Sequence, residues 1–176
     1  RLAPEVARTQ REAELRRRAR HDGLTGLPNR VLLNGSLDRA IRGAGSATQC
    51  ALLLLDLDRF KEVNDTLGHQ VGDTLLRQIG QRLQGAVPST DLVARLGGDE
   101  FAVLLPETDA SHAAHLAGSL VRALQTPFVL EGQRIAVDAS IGIALAPEHG
   151  QDAVTLLRCA DVAMYQGTRL GSVIRR

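Results

Sequence analysis

Residues 50–58 read CALLLLDLD. Cys50 to Leu55 are all apolar, Asp56 interrupts them, and Leu57 separates it from Asp58. An apolar run this long, without polar alternation, is the pattern of a central β-strand buried on both faces. It is too short to cross a membrane as a helix, which takes about 20 apolar residues. Two carboxylates therefore stand at the end of a buried strand.

Downstream, Leu92–Leu96 and Phe101–Leu105 are short apolar runs around Gly97-Gly98, a hairpin signal. Helices are predicted from about Pro28 to Arg42, with Asp22 or Thr25 as candidate caps and Pro28 in the first turn. Further helices are predicted over Gly72–Leu83, Ser111–Leu124 and Asp152–Tyr165. Arg134–Leu145 reads as a strand interrupted at Gly142. Strands and helices mixed in this way predict an α/β layer architecture with a mixed sheet.

Residues 1–20 differ, with seven Arg, three Glu and little apolar content. Glu12–Arg16 and Glu14–Arg18 stand at i,i+4 and support an exposed helix. Leu2 and Val6 offer a weak seam. The segment reads as a solvated linker helix or as a short coiled coil carrying a signal.

At 176 residues the chain has the size of one domain, with 44% apolar and 23% charged residues. A net charge of +1 and 2% aromatics give no footprint for nucleic-acid binding. No signal peptide and no membrane span are visible. Cys50 and Cys159 make neither a metal pattern nor a disulfide framework, which fits a reducing, cytoplasmic setting. The first residue is Arg, which fits a piece of a longer protein.

The acids collect at loops. Placing the end of the Asp56 strand beside the 97–100 hairpin brings Asp56, Asp58, Asp99 and Glu100 to one spot. Like charges so close call for a cation, and hard oxygen ligands point to Mg²⁺ or Mn²⁺. Gly97 and Gly98 let a phosphate approach the backbone. The amides of residues 58–61 would point at the same anion, with Lys61, the chain's one lysine, beside it. Asn64 and Asp73 suit the Watson–Crick edge of guanine, which offers N1–H and N2–H₂ donors and an O6 acceptor. Each feature also has a plainer reading. Asp56 and Asp58 end a strand in water, Asn64-Asp65 makes a turn, His69 bonds at a helix entry, and Gly97-Gly98 only turns a hairpin.

Five ordered segments resemble the GGDEF family of diguanylate cyclases: DGLTGLPNR at 22–30, DLDRFKEVNDTLGHQVGD at 56–73, RLGGDEF at 95–101, SIGIA at 140–144 and ADVAMY at 160–165. The resemblance runs from His21 to about Gly171. It implies a mainly antiparallel central sheet flanked by helices, similar to the polymerase palm and the nucleotidyl cyclases. It divides the chain into the helix of residues 1–20 and a GGDEF domain over 21–176. It implies that two GTP condense to cyclic di-GMP with loss of two pyrophosphates, one GTP per protomer of a homodimer. Asp56, Asp99 and the Leu57 carbonyl would hold the metals, with Glu100 beside them. Arg59, Phe60 and Lys61 match the phosphate-contacting stretch, and Asn64 and Asp73 the guanine positions, with His69 between them. Asp99 is the candidate for assisting deprotonation of the 3′-hydroxyl. An upstream sensor and a downstream phosphodiesterase domain are natural neighbours in this family.

Two departures stand out. Thr168 and Ser172 occupy positions where the family commonly has Lys and Arg, which meet the triphosphate. Each hydrogen bond to a charged group is worth about 1.5–3 kcal/mol, so losing both removes roughly two to four powers of ten. Arg169 next door points about 100° away on a helix. Pro88 stands where product-inhibited members carry the Arg of R-x-x-D, while Asp91 is kept. The alternatives to an active cyclase are a weakened GTP-binding module that regulates an adjoining domain, and a dimerisation domain without nucleotide.

Overall fold

The computed structural model describes residues 3–45 and 47–166. The apolar run is the centre of the architecture. It forms β1 (Gln49–Asp58). β2 (Leu92–Gly97) and β3 (Glu100–Thr108) form the expected hairpin, and β6 spans Asp138–Ala146. The sheet order is β2-β3-β1-β6, and every pairing in it is antiparallel. The expected strand at 134–145 is two strands. β4 (Phe128–Leu130) and β5 (Gln133–Ile135) pair as a separate hairpin through Glu131 and Gly132, both at positive φ.

β1 alternates between two cores, as a period of two requires. Leu53, Leu55 and Leu57 face one cluster with Phe101, Ile141 and the helices α4 (His69–Ala86) and α5 (Ala110–Gln125). Cys50, Leu52 and Leu54 face a second cluster with α2 (Arg30–Gly43) and α6 (Ala153–Gln166). This is why both parities of β1 are apolar. At Gly142 a Cβ would lie 2.0 Å from the Ala160 carbonyl oxygen. The glycine in SIGIA therefore lets α6 lie directly on β6.

Three local expectations are revised. Asn29, not Asp22 or Thr25, caps α2, by accepting from the Leu32 N–H. Pro28 lies before the helix, bridged to His21. The plainer reading of Asn64-Asp65 as a turn fails, because both lie in the helix α3 (Phe60–Leu67). Glu12 pairs with Arg8 rather than the expected Arg16, while the expected Glu14–Arg18 pair forms, with Arg17 on the same carboxylate. These pairs lie on α1 (Pro4–Arg20), which buries no residue. Among the described residues, no helix is long and apolar enough to cross a membrane.

Candidate functional site

The sheet register assembles the acids. Asp56 sits opposite Glu100 on β3 and opposite Ser140 on β6. The Leu57 N–H donates to the Asp99 carbonyl at 3.2 Å, which ties the end of β1 to the hairpin turn. Asp58 accepts from the Ser140 hydroxyl at 3.0 Å. By parity Asp56 and Glu100 share the α2–α6 face of the sheet.

The electrostatics are those of crowded like charges. Burial, together with the charge of Asp99 and a hydrogen bond to it, pushes the Asp56 carboxyl up to about 6. Glu100 and Asp58 add smaller repulsions. Burial also raises Glu100, an effect opposed by Arg30 and reinforced by Asp161 and Asp99. Among the described residues, no three acidic, His or Cys side chains close around one point. The donors are nonetheless hard oxygens alone, and a carboxyl pair sharing a hydrogen bond is one that a divalent cation relieves. The residues present fit such a cation.

The residues expected to meet phosphate and base lie on the next two helices. Arg59 enters α3 in the left-handed region at φ 59. The first N–H groups of a helix have no intrahelical acceptor, so the amides of Phe60 and Lys61 are available at the end of β1. Arg59 and Lys61 are exposed, and Phe60 is buried. Asn64 is half-buried on α3, while His69 and Asp73 are exposed in the first turns of α4. A cleft of about 1200 Å³ runs beside α3, lined by Leu57–Phe60 and by residues 133–138. It does not reach Asp99, Glu100, Asn64 or Asp73.

Arg95, given no role by the sequence, and Asp22, expected to cap a helix, pair with each other beside the hairpin. The Arg95 guanidinium contacts both Asp22 carboxylate oxygens at 3.0 and 3.1 Å. It also donates to the Gly98 carbonyl at 2.7 and 3.2 Å, at the hairpin tip. The Arg95 N–H donates to the Pro28 carbonyl at 2.9 Å. The loop at 22–28 thus braces the hairpin that carries Asp99. An Arg just before a glycine turn, with an Asp in a distant loop of the other sign, was the available signal. Only the fold pairs them.

Comparison with known proteins fits this geometry. The family described as Diguanylate cyclase, GGDEF domain matches residues 19–172. The chain belongs to the GGDEF family. Diguanylate cyclase TpbB of Pseudomonas aeruginosa is 47% identical over 174 residues, covering 97% of this chain and 40% of that protein. The bifunctional diguanylate cyclase/cyclic di-GMP phosphodiesterase MucR of the same species is 43% identical, covering 97% of this chain and 25% of that protein. The chain therefore spans well under half the length of these curated relatives. The coiled coil and GGDEF domain of DgcB from Caulobacter crescentus, solved with c-di-GMP, superposes with a TM-score of 0.80. It is 32% identical and covers 92% of this chain and 87% of that one. The architecture is the palm-like cyclase fold of these GGDEF domains.

Thr168 and Ser172 lie outside the described residues. At the other departure in this GGDEF domain, the Asp91 N–H closes a turn onto the Pro88 carbonyl at 3.0 Å. Burial raises the Asp91 carboxyl, opposed by His112 and by a hydrogen bond from the Thr90 hydroxyl. No arginine stands at position 88 to grip a product phosphate. We expect Asp91→Ala to leave sensitivity to added cyclic di-GMP unchanged in an initial-rate assay; a clear relief of inhibition overturns this.

Proposed function

We propose that this chain is the catalytic GGDEF domain of a diguanylate cyclase that condenses two GTP into cyclic di-GMP. The observation that carries the reading is the pairing of Asp56 with Asp99 and Glu100 at the glycine hairpin of a GGDEF family member. In each half-reaction a 3′-hydroxyl oxygen of one GTP attacks the α-phosphorus of the other. A new P–O bond forms, the bond to the β-phosphate oxygen breaks, and pyrophosphate leaves. Two copies of the chain, each holding one GTP, complete the ring.

Asp56, Asp99 and the Leu57 carbonyl would hold Mg²⁺ or Mn²⁺, with Glu100 alongside. When bound, the metal lowers the pKa of the 3′-hydroxyl and neutralises charge growing at the α-phosphate. Asp99 receives the hydroxyl proton. Lys61, with Arg59 and the amides of residues 60 and 61, holds phosphate oxygens. Gly97 and Gly98 give the triphosphate room. Asn64 and Asp73 read the guanine edge, with His69 beside them. Residues 1–20 act as the linker or signalling helix ahead of the domain over 21–176. A sensor domain upstream and a phosphodiesterase domain downstream fit relatives such as MucR. A cytoplasmic setting fits the free thiols of Cys50 and Cys159.

A second reading, a GTP-binding module that regulates an adjoining domain, is favoured by Thr168 and Ser172. Incubating the purified chain at high concentration with GTP and Mg²⁺, then Mn²⁺, and seeking cyclic di-GMP by mass separates the two. Product supports the cyclase. Retained GTP binding without product supports the module, and neither binding nor product removes both.

The Asp56 site makes metal binding proton-coupled. Its folded value of about 6 stands above the unfolded value of about 3.9. Protonated Asp56 therefore favours the metal-free fold at low pH, and that stabilisation is lost as pH rises from about 4 through about 6. Adding Mn²⁺ to the metal-free protein just below pH 6 is expected to release a proton. Calorimetry in buffers of different ionisation enthalpy reads this as a buffer-dependent heat, which Asp56→Asn abolishes. Buffer-independent heats for the parent protein count against Asp56 as a ligand.

A further inference from the structure

Gly72 lies inside α4, where glycine is a poor choice because it loses the most backbone freedom on folding. The usual reasons for glycine are absent, since its φ is an ordinary helical one. Space explains it. A Cβ at position 72 would lie 1.8 Å from Asn64 Oδ1, 3.0 Å from Asn64 Cγ and 3.3 Å from Phe60 Cζ. The Asn64 amide therefore lies in the notch where a side chain at 72 would be. Its Oδ1 is buried there without a hydrogen-bond partner. Such an acceptor is unfavourable unless a donor reaches it. The turn between the helices holds the notch in place, with Gly68 at φ 89 and the Gly72 N–H donating to the Gly68 carbonyl at 3.1 Å.

We propose that Gly72 is a positioning residue for base recognition. Its missing side chain seats the Asn64 amide in the orientation that reads guanine. This rests on the proposed role of Asn64. The severe clash of alanine at 72 is with the far end of the Asn64 side chain, the Phe60 ring edge at 3.3 Å needing only a small shift, so α4 stays helical while the amide swings out. The loss falls on nucleotide binding and on the preference for GTP over ATP, not on the fold.

The test is a double-mutant cycle with GTP and ATP as probes. Gly72→Ala is expected to keep the parent's melting temperature and raise KM for GTP about tenfold. It should leave kcat within about twofold and narrow the GTP-to-ATP preference. Asn64→Ala should do the same, and adding Gly72→Ala to it should change nothing more. Parent-like KM in Gly72→Ala, or an equal further loss on the Asn64→Ala background, overturns the proposal. If Asn64→Ala itself binds GTP like the parent, the guanine role of Asn64 falls, and the seat with it. If only Gly72→Ala is silent, the seat alone falls. Should Gly72→Ala melt lower, the double variant decides. Restored melting places the clash at Asn64 and supports the seat, and unrestored melting overturns it.

Discussion

Asp99→Ala is expected to lose at least about 10³-fold in cyclic di-GMP formation, a barrier increase of roughly 4 kcal/mol. The metal-free variant should melt no lower than its parent. The two halves have one cause. Asp99 lends its charge and a hydrogen bond to Asp56 and so pushes that carboxyl up. Removing it takes away a proposed metal ligand and a repulsion together. The backbone is indifferent to the change, because the Leu57 N–H bonds the carbonyl of residue 99 and not its side chain. Product assays by mass and thermal melts in chelator read the two effects. Undiminished turnover in Asp99→Ala would remove the hairpin from the catalytic centre. A lower melting temperature would mean that Asp99 holds the fold rather than straining it.

Arg95→Ala is expected to destabilise the protein by about 3 kcal/mol, since it strips the half-buried Asp22 carboxylate and the Gly98 carbonyl of hydrogen bonds to a charged group, worth about 1.5–3 kcal/mol each. For a chain of this size that lowers the melting temperature by roughly 6–12 °C. The side chains of Arg95 and Asp22 are only 10% and 16% exposed. Two groups lose the guanidinium together, the Asp22 carboxylate, which keeps only Thr25, and the Gly98 carbonyl. Burial would raise the Asp22 carboxyl, but bonds from Thr25 and from Arg95 outweigh it and hold it below its usual value. The stabilisation is thus present above about pH 4 and is lost as pH falls through the folded value. Melting curves should show the parent and Arg95→Ala far apart at pH 7 and converging in acid. A variant that melts within about 2 °C of its parent at pH 7 refutes the brace.

The large elements were legible because their signals are local. The β1 run, the glycine pair between two apolar strands, and the helical period of Leu75, Leu76, Ile79 and Leu83 each stand in a short window. α3 was not legible, because its eight residues carry Asn64-Asp65, a dipeptide at home in turns. Asp22 looked like a helix cap because its carboxylate does bind the Thr25 N–H, at 2.8 Å, but it closes a loop and leaves α2 to Asn29. β4 and β5 are three residues each, too short for alternation to register. Among the site residues, the acids were readable since a carboxylate after a buried strand demands an explanation. Arg95 and Gly72 were not, because their meaning is a partner. One meets an Asp 73 positions away, and the other is defined by a side chain it makes room for.

α1 commits nothing to the core, yet its last turn is held firmly. Asn29 donates from its side chain to the Ala19 carbonyl at 3.0 Å and from its backbone to the Arg20 carbonyl at 2.9 Å, while its own carbonyl side begins α2. Only the angle at which those two carbonyls arrive is specified. The rotational phase of the helix ahead of Ala19 is set by these two bonds. One inserted residue turns everything before it by about 100° and moves it about 1.5 Å, whereas seven return it to within about 20°. For the signalling helix proposed above, the joint would act as a coupling with a keyway, in which steps of whole heptads preserve the phase.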